Sequence, residues 1–194
     1  MMQQSKVRKH VTVGMLSSIA YLLMMLDFPF PGLPSFLQID FSDVPALISA
    51  IVFGPSAGLM VEAIKNILYY LIHGSGVPVG EISNFIAGSL FILPSAYIYR
   101  RFQSQKGLLI GLGIGTMLMT VVMSILNYYV IMPAYTFFLN MPVMSQEATR
   151  QFVVAAVLPF NLLKGVIVTL LLLVIMTKIK TWLTNQLLIN YKRV

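Results

Sequence analysis

The chain has 194 residues, of which 58% are hydrophobic and 10% charged, with no cysteine and a formal charge of +7. Soluble domains carry about 25% charged residues, so this composition excludes an ordinary water-facing surface, and the missing thiols exclude disulfides, thiolate metal sites and cysteine nucleophiles. The positive charge sits in short clusters beside long apolar runs (Lys6, Arg8 and Lys9; Arg100, Arg101 and Lys106; Lys178 and Lys180; Lys192 and Arg193), a pattern of membrane loops rather than of a nucleic-acid face with interleaved aromatic residues.

The first apolar run, Val11 to Leu26, follows a basic stretch. It lacks a small-x-small cleavage site before Asp27, and apolar segments continue downstream, so it reads as a membrane helix over about 9–27 rather than a signal peptide. Pro29, Pro31 and Pro34 then forbid a helix, which makes 28–42 an outer loop. Within it, Phe36 to Phe41 alternates apolar and polar residues, as suits a segment lying across a cavity mouth. Ser42 or Asp43 caps a second helix, 43–53, with Pro45 in its first turn. That helix is short for a full span, which implies a tilt or a start within the loop. Gly54-Pro55 is a turn signal; a third helix follows over 56–73, then a second outer loop at 74–78. The fourth helix covers 79–100 and stops at Arg100-Arg101. The fifth covers 107–131 and is expected to end at Pro133. The stretch 132–158 reads as an outer loop holding a short helix near Ser145 to Val157, and Pro159 opens the sixth helix, 159–183. The tail from Thr184 reads as a cytosolic extension.

Alternating these segments puts the N-terminus, Gly54-Pro55, the Arg100–Lys106 loop and the C-terminus on one side. That side collects ten of the 13 Lys and Arg residues, and Arg150 alone falls on the other. Positive charge marks the cytosolic face. The expectation is an all-α, polytopic, six-transmembrane-helix bundle, N-in/C-in, forming a single domain over 1–194.

Charges within membrane helices are costly and mark candidate sites. Glu62 and Lys65, three apart on one helical face, neutralise each other as a buried pair. Asn161 and Lys164 also share a face, but no carboxylate lies within a turn of this lysine, so an ammonium and an amide converge on the outer end of the sixth helix. Asn127 and Tyr128 lie near the outer end of the fifth, and Glu81 and Asn84 at the outer start of the fourth. With the first loop these groups describe a partly apolar pocket with polar anchors, the usual form of a small-molecule site. Gly111-x-Gly113-x-Gly115 lies inside an apolar helix with no preceding strand, and reads as close helix packing rather than a dinucleotide fingerprint. There is no GxxxxGK[ST], no HExxH and no activated carboxylate pair, so the chain reads as neither an enzyme nor a metal protein, with no cofactor. Gly14-x-x-x-Ser18 gives the first helix a small-residue face open to close approach by another helix.

Taken together, the loop Phe28-Pro29-Phe30-Pro31-Gly32-Leu33-Pro34-Ser35-Phe36-Leu37-Gln38-Ile39-Asp40-Phe41-Ser42-Asp43-Val44-Pro45, Lys65-Asn66, Gly80-Glu81-Ile82-Ser83-Asn84-Phe85, Asn127-Tyr128-Tyr129 with Pro133 and Tyr135, and Pro159-Phe160-Asn161-x-x-Lys164 resemble one family across nearly the whole chain. It is the riboflavin-specific substrate-binding (S) component of energy-coupling-factor (ECF) vitamin transporters.

The resemblance implies a multi-pass protein of the bacterial cell membrane that captures riboflavin near the outer surface under the first loop. It also implies partners, a membrane coupling subunit and two cytosolic ATPases. Leu37, Ile39 and Phe41 are then expected to cover the flavin ring. Asn127, Asn161 and Lys164 are expected to satisfy its polar atoms, and Gln38, Asp40, Glu81, Asn84 and Tyr128 are expected among the other substrate-binding residues. The family's first helix carries Ala-x-x-x-Ala for docking the coupling subunit; Gly14 and Ser18 stand there in this chain. The competing reading is a stand-alone secondary transporter or facilitator, for which inverted repeats and broken midplane helices are expected and no clear internal repeat is seen.

Overall fold

The computed structural model describes residues 2–34, 37–74, 76–140 and 142–191, with side chains from Val7 to Lys178. Ser35 and Phe36 of the first loop, Ser75 of the second, and the basic pair Lys192 and Arg193 lie outside the described residues.

Eight α-helices are described: α1 (Met2–Met24), α2 (Asp43–Phe53), α3 (Pro55–His73), α4 (Val79–Phe102), α5 (Gln105–Leu126), α6 (Met132–Leu139), α7 (Gln146–Phe152) and α8 (Leu158–Tyr191). A π-helical turn, Asn127–Ile131, joins α5 to α6, and a second, Val153–Val157, joins α7 to α8. The eight helices therefore form six continuous columns. Three of these, Val79–Phe102, Gln105–Leu139 and Gln146–Lys178, are long and apolar enough to cross a bilayer by length and composition.

Local chemistry explains the breaks. The Ser104 hydroxyl accepts from the Gly107 N–H at 3.0 Å and opens α5; Ser145 accepts from Ala148 at 3.2 Å and opens α7. Both are N-caps that satisfy otherwise orphaned amides. Gly54, at φ +106°, makes the turn from α2 to α3 that a side chain would strain. The Arg100 guanidinium lies beside that turn, so the Gly54 turn and the basic end of α4 share one face of the bundle.

Two expected boundaries move. The fifth column does not stop at Pro133 but runs on to Leu139, and the sixth begins at Gln146 instead of Pro159. The same device permits both. Met132 N–H donates to the Asn127 carbonyl, and Leu158 N–H to the Val153 carbonyl, each five residues back. In each case a proline follows immediately, so its missing donor falls where the hydrogen-bond register has already changed, and the helix continues through it. The outer connection expected over 132–158 thereby shortens to residues 140–145.

α2 is buried from Asp43 through Val52. At 11 residues it is shorter than a perpendicular span, and its burial along this length makes it a core element around which α1, α3, α4 and α8 pack. Close approach elsewhere depends on glycine. A Cβ at Gly115 would lie 2.5 Å from the Phe91 carbonyl oxygen, and one at Gly111 would lie 2.8 Å from that of Ser95. The glycine-rich run in α5 therefore seats α4, as expected. Phe91, Ile92, Leu112, Met119 and Leu172 fill the core between them. The first loop is pinned by a two-residue antiparallel pair, β1 (Phe28–Pro29) with β2 (Gln38–Ile39), in which Phe28 faces Ile39.

At Gly58 an added Cβ would sit 2.6 Å from Ala50 Cβ and 2.9 Å from Ile92 Cγ2. Gly58→Val is therefore expected to destabilise the bundle by about 1–3 kcal/mol through overpacking, read as a lower melting temperature of the detergent-purified protein.

Candidate functional site

One half of the bundle is organised by two buried lysines. Lys65, on α3, places its ammonium 2.6 Å from Asp43 Oδ1 and 2.8 Å from Glu62 Oε1, and donates to Ser42 Oγ at 2.6 Å. Lys164, on α8, lies 3.1 Å from Asp40 Oδ2 and 3.6 Å from Asp43 Oδ2. Ser42 closes the arrangement. Its backbone N–H donates to Asp40 Oδ1 at 2.8 Å and its hydroxyl donates to the same oxygen, an Asx turn that fixes the end of the first loop. Asp40, Asp43, Glu62, Lys65 and Lys164 are 0–4% exposed. At such depth ions are retained only when paired and hydrogen-bonded, so this cluster fastens the loop to α2, α3 and α8 at once.

Asp40 shows the electrostatic result. Burial pushes its carboxyl upward, but Lys164, then Lys65 and the two Ser42 donors, outweigh this and hold it well below the usual carboxylate range. Asp27, at the end of α1, is raised instead, by burial and then by the Asp40 charge. It accepts a long hydrogen bond from the Tyr69 hydroxyl at 3.4 Å.

Between this cluster, the loop and the helix ends lies a cavity of ≈ 230 Å³. The loop contributes Leu37, Gln38 and Asp40; α4 contributes Gly80, Glu81, Ser83, Asn84 and Ala87; the α5–α6 column contributes Met123, Asn127, Ile131 and Tyr135; and α8 contributes Phe160, Asn161 and Lys164. Met24 with Asp27, and Tyr69 from α3, complete the wall.

The π turns account for this alignment. Met123, Asn127, Ile131 and Tyr135 are spaced by four. In an α-helix of 3.6 residues per turn, each such step drifts by about 40°. The wider π turn absorbs the drift and keeps all four on the cavity side. Asn127 donates to the Met123 carbonyl at 2.8 Å and Asn161 to the Val157 carbonyl at 2.9 Å. Each amide is thereby oriented by its own helix, with a second N–H in reserve. Lys164 likewise spends only part of its three-donor capacity on Asp40 and Asp43.

Eight of the eleven residues expected at the pocket line the cavity: Leu37, Gln38, Asp40, Glu81, Asn84, Asn127, Asn161 and Lys164. Three do not. Ile39 is buried beneath the loop, packed with Leu37, Ala156 and Phe160. The Phe41 ring lies 6.2 Å from that of Phe28. Tyr128 lines a separate outward crevice with Met132, Pro133 and Val143, since it is one residue past the inward-facing Asn127. Lys164, expected without a nearby carboxylate, is paired through Asp40 and Asp43, which are distant in sequence. Met24, Asp27, Tyr69, Ala87, Met123 and Ile131 line the cavity without being expected there, while Gly80, Ser83, Tyr135 and Phe160 lie in the stretches that carry the resemblance but are not among the expected site residues. For Met123 and Ile131 the four-residue spacing from Asn127 was an available signal. Gly14 and Ser18 lie exposed on α1, with no atom within 4 Å of a Cβ added at Gly14.

An α-helical membrane bundle with a lidded cavity at one end is the form of a substrate-binding transport subunit, and comparison with known proteins agrees. The model of the family described as "ECF transporter, substrate-specific component" matches residues 8–176. The riboflavin transporter FmnP of Bacillus subtilis is 56% identical over 183 residues, covering 93% of this chain and 96% of that protein. The riboflavin transporter RibU of Staphylococcus aureus is 40% identical over 182 residues, covering 94% of each. A solved S component of a bacterial ECF transporter superposes with a TM-score of 0.80 at 38% identity, covering 92% of this chain and 98% of that one. The chain belongs to the ECF transporter substrate-specific component family, and is a multi-pass protein of the bacterial cell membrane.

Replacing Lys65 with Met leaves Asp43 and Glu62 without their shared cation, and is expected to cost about 3–5 kcal/mol of stability, measured by thermal unfolding. Because the Asp40 carboxyl is depressed, its contribution is complete above the unfolded carboxylate value and is lost only as pH falls through the still lower folded value. Protease resistance of the first loop should therefore be unchanged between about pH 7 and pH 5.

Proposed function

We propose that this protein is the riboflavin-capturing subunit of an ECF-type transporter: it binds riboflavin at the outer face of the membrane and delivers it inward in complex with a membrane coupling subunit and two cytosolic ATPases. The observation that carries the reading is the convergence of Asn127, Asn161 and Lys164, from two helical columns, on one cavity roofed by Leu37, Gln38 and Asp40. Riboflavin needs this combination. Its ring is flat and largely apolar, its pyrimidine edge offers carbonyl acceptors and an imide donor, and its ribityl tail carries hydroxyls. Leu37, Met123, Ile131 and Phe160 supply apolar contact for the ring. Asn84, Asn127, Asn161, Lys164 and Glu81 supply donors and acceptors for the rest. The names of the relatives support riboflavin as the substrate.

The bundle is read as one domain with six crossings and both termini cytosolic. The basic Arg100–Lys106 loop, and the Gly54 turn beside Arg100, lie on the cytosolic face; the lid lies on the other. The cavity of ≈ 230 Å³ is below the roughly 300–1,000 Å³ of occupied ligand sites, so entry of a flavin requires the first loop to lift and resettle. Gly14 and Ser18 present a bare small-residue face on α1, as docking against a coupling helix requires.

Purified protein is expected to be yellow, or to quench the fluorescence of added riboflavin with one-to-one stoichiometry; colourless protein that fails to bind refutes the assignment. Asn161→Ala is expected to weaken riboflavin binding by about 1–3 kcal/mol, the scale of a lost buried polar partner. Gly14→Leu should leave riboflavin binding intact while abolishing uptake in cells that hold the coupling module. Loss of binding in that variant would mean that Gly14 serves the bundle itself.

A further inference from the structure

The buried cluster does not balance as ordinarily charged groups. Two lysines, Lys65 and Lys164, face three carboxylates, Asp40, Asp43 and Glu62, all deeply buried, with Asp40 and Lys164 alone of the five reaching the cavity wall. One negative charge is left over inside a membrane protein, where an uncompensated ion costs several kcal/mol. The three acids are not equivalent. Asp40 receives Lys164 and two donors from Ser42, and Asp43 sits between both lysines. Glu62 touches Lys65 alone and accepts no aligned hydrogen bond at either oxygen. Its Oε2 is pressed against α4 at Gly88, where even a methyl group would overlap it. Four residues on, Asn66 is 5% exposed, its Oδ1 is likewise unpartnered, and its amide nitrogen is spent on the Glu62 carbonyl.

We infer that Glu62 is a resident proton site: at neutral pH it is a neutral carboxylic acid, and its proton makes the lid-closed cluster electrically balanced. The charges acting on it are Lys65 from its own helix, Asp43 from α2 and Lys164 from α8, while α4 meets it with Gly88. Protonation turns one orphaned acceptor into a donor and leaves two lysines matched by Asp40 and Asp43. The balance is tied to the lid, because Asp40 is the loop's own charge in the cluster. Taking that charge away leaves two lysines facing Asp43 alone, and Glu62 then restores neutrality by releasing its proton. Lid position and the proton on Glu62 are linked.

The inference requires no ligand and is tested on the full-length protein in lipid nanodiscs by infrared spectroscopy. The wild type at neutral pH should show the carbonyl stretch of a neutral carboxylic acid, shifted in D2O and absent in Glu62→Gln. Asp40→Asn, with its charge removed from the lid, should lose the band as Glu62 ionises. Biosynthetic 13C-glutamate labelling of the wild type should move the same band, which assigns it among only three glutamates, Glu62, Glu81 and Glu147, even if a variant fails to fold. Absence of the band in the wild type, its persistence in Glu62→Gln or in Asp40→Asn, or insensitivity to glutamate labelling each overturns the inference. So does replacement of the band by sodium-dependent thermal stability, which would assign the site to a metal cation.

Discussion

The ion cluster joining Asp40, Ser42 and Asp43 to Lys65 and Lys164 is the constraint on which the cavity-bearing half of this protein depends. Apolar packing brings α2, α3, α4 and α8 together, but it is non-directional and would not by itself fix how a proline-rich loop lies over their ends. The cluster supplies the direction. Each lysine reaches a different helix or loop, so moving any one element separates opposite charges in a low-dielectric interior. The loop is therefore held closed by bonds that end in the same lysine that lines the cavity. A ligand that engages Lys164 necessarily acts on the loop's anchorage as well.

Helix irregularity does the rest. Two π turns, each followed at once by a proline, interrupt the α5–α6 and α7–α8 columns beside the cavity that Asn127 and Asn161 line, and the first keeps Ile131 and Tyr135 on the same side as Asn127. Regular helices with the same sequence would carry Ile131 and Tyr135 progressively around the cylinder. Away from the cavity, α4 and α5 are regular helices, with Gly111 and Gly115 at close contacts between them.

Much of this was legible from residue types and spacing. Intramembrane Lys65 and Lys164 had to be paired or functional, and they are paired. The glycines of α5 had to serve packing, and Gly111 and Gly115 do. The proline-rich run had to be a loop rather than a helix, and its Leu37, Gln38 and Asp40 roof the cavity. What escaped was long-range or depended on helix register. Lys164 lacked a carboxylate within its own helix, and nothing local revealed that Asp40, 124 positions away, would supply one. Pro133 reads as a helix end and Pro159 as a helix start on propensity grounds, because a preceding π turn that accommodates proline leaves no simple compositional mark. Tyr128 was placed in the pocket beside Asn127, although adjacent helical residues point about 100° apart. Ile39 shares its stretch with the cavity-lining Leu37, Gln38 and Asp40, and only its packing against Ala156 and Phe160, far along the chain, sets it apart.

The account stands or falls on whether the lid and the pocket share one electrostatic unit. The most direct measurement is a double-mutant cycle on riboflavin affinity using Asp40→Asn, Lys164→Met and the combined variant. Coupled groups should give strongly non-additive effects, with an interaction energy of about 0.5–3 kcal/mol. Additive losses would mean that the loop and Lys164 act independently, and that the cluster holds the fold without governing access to the cavity.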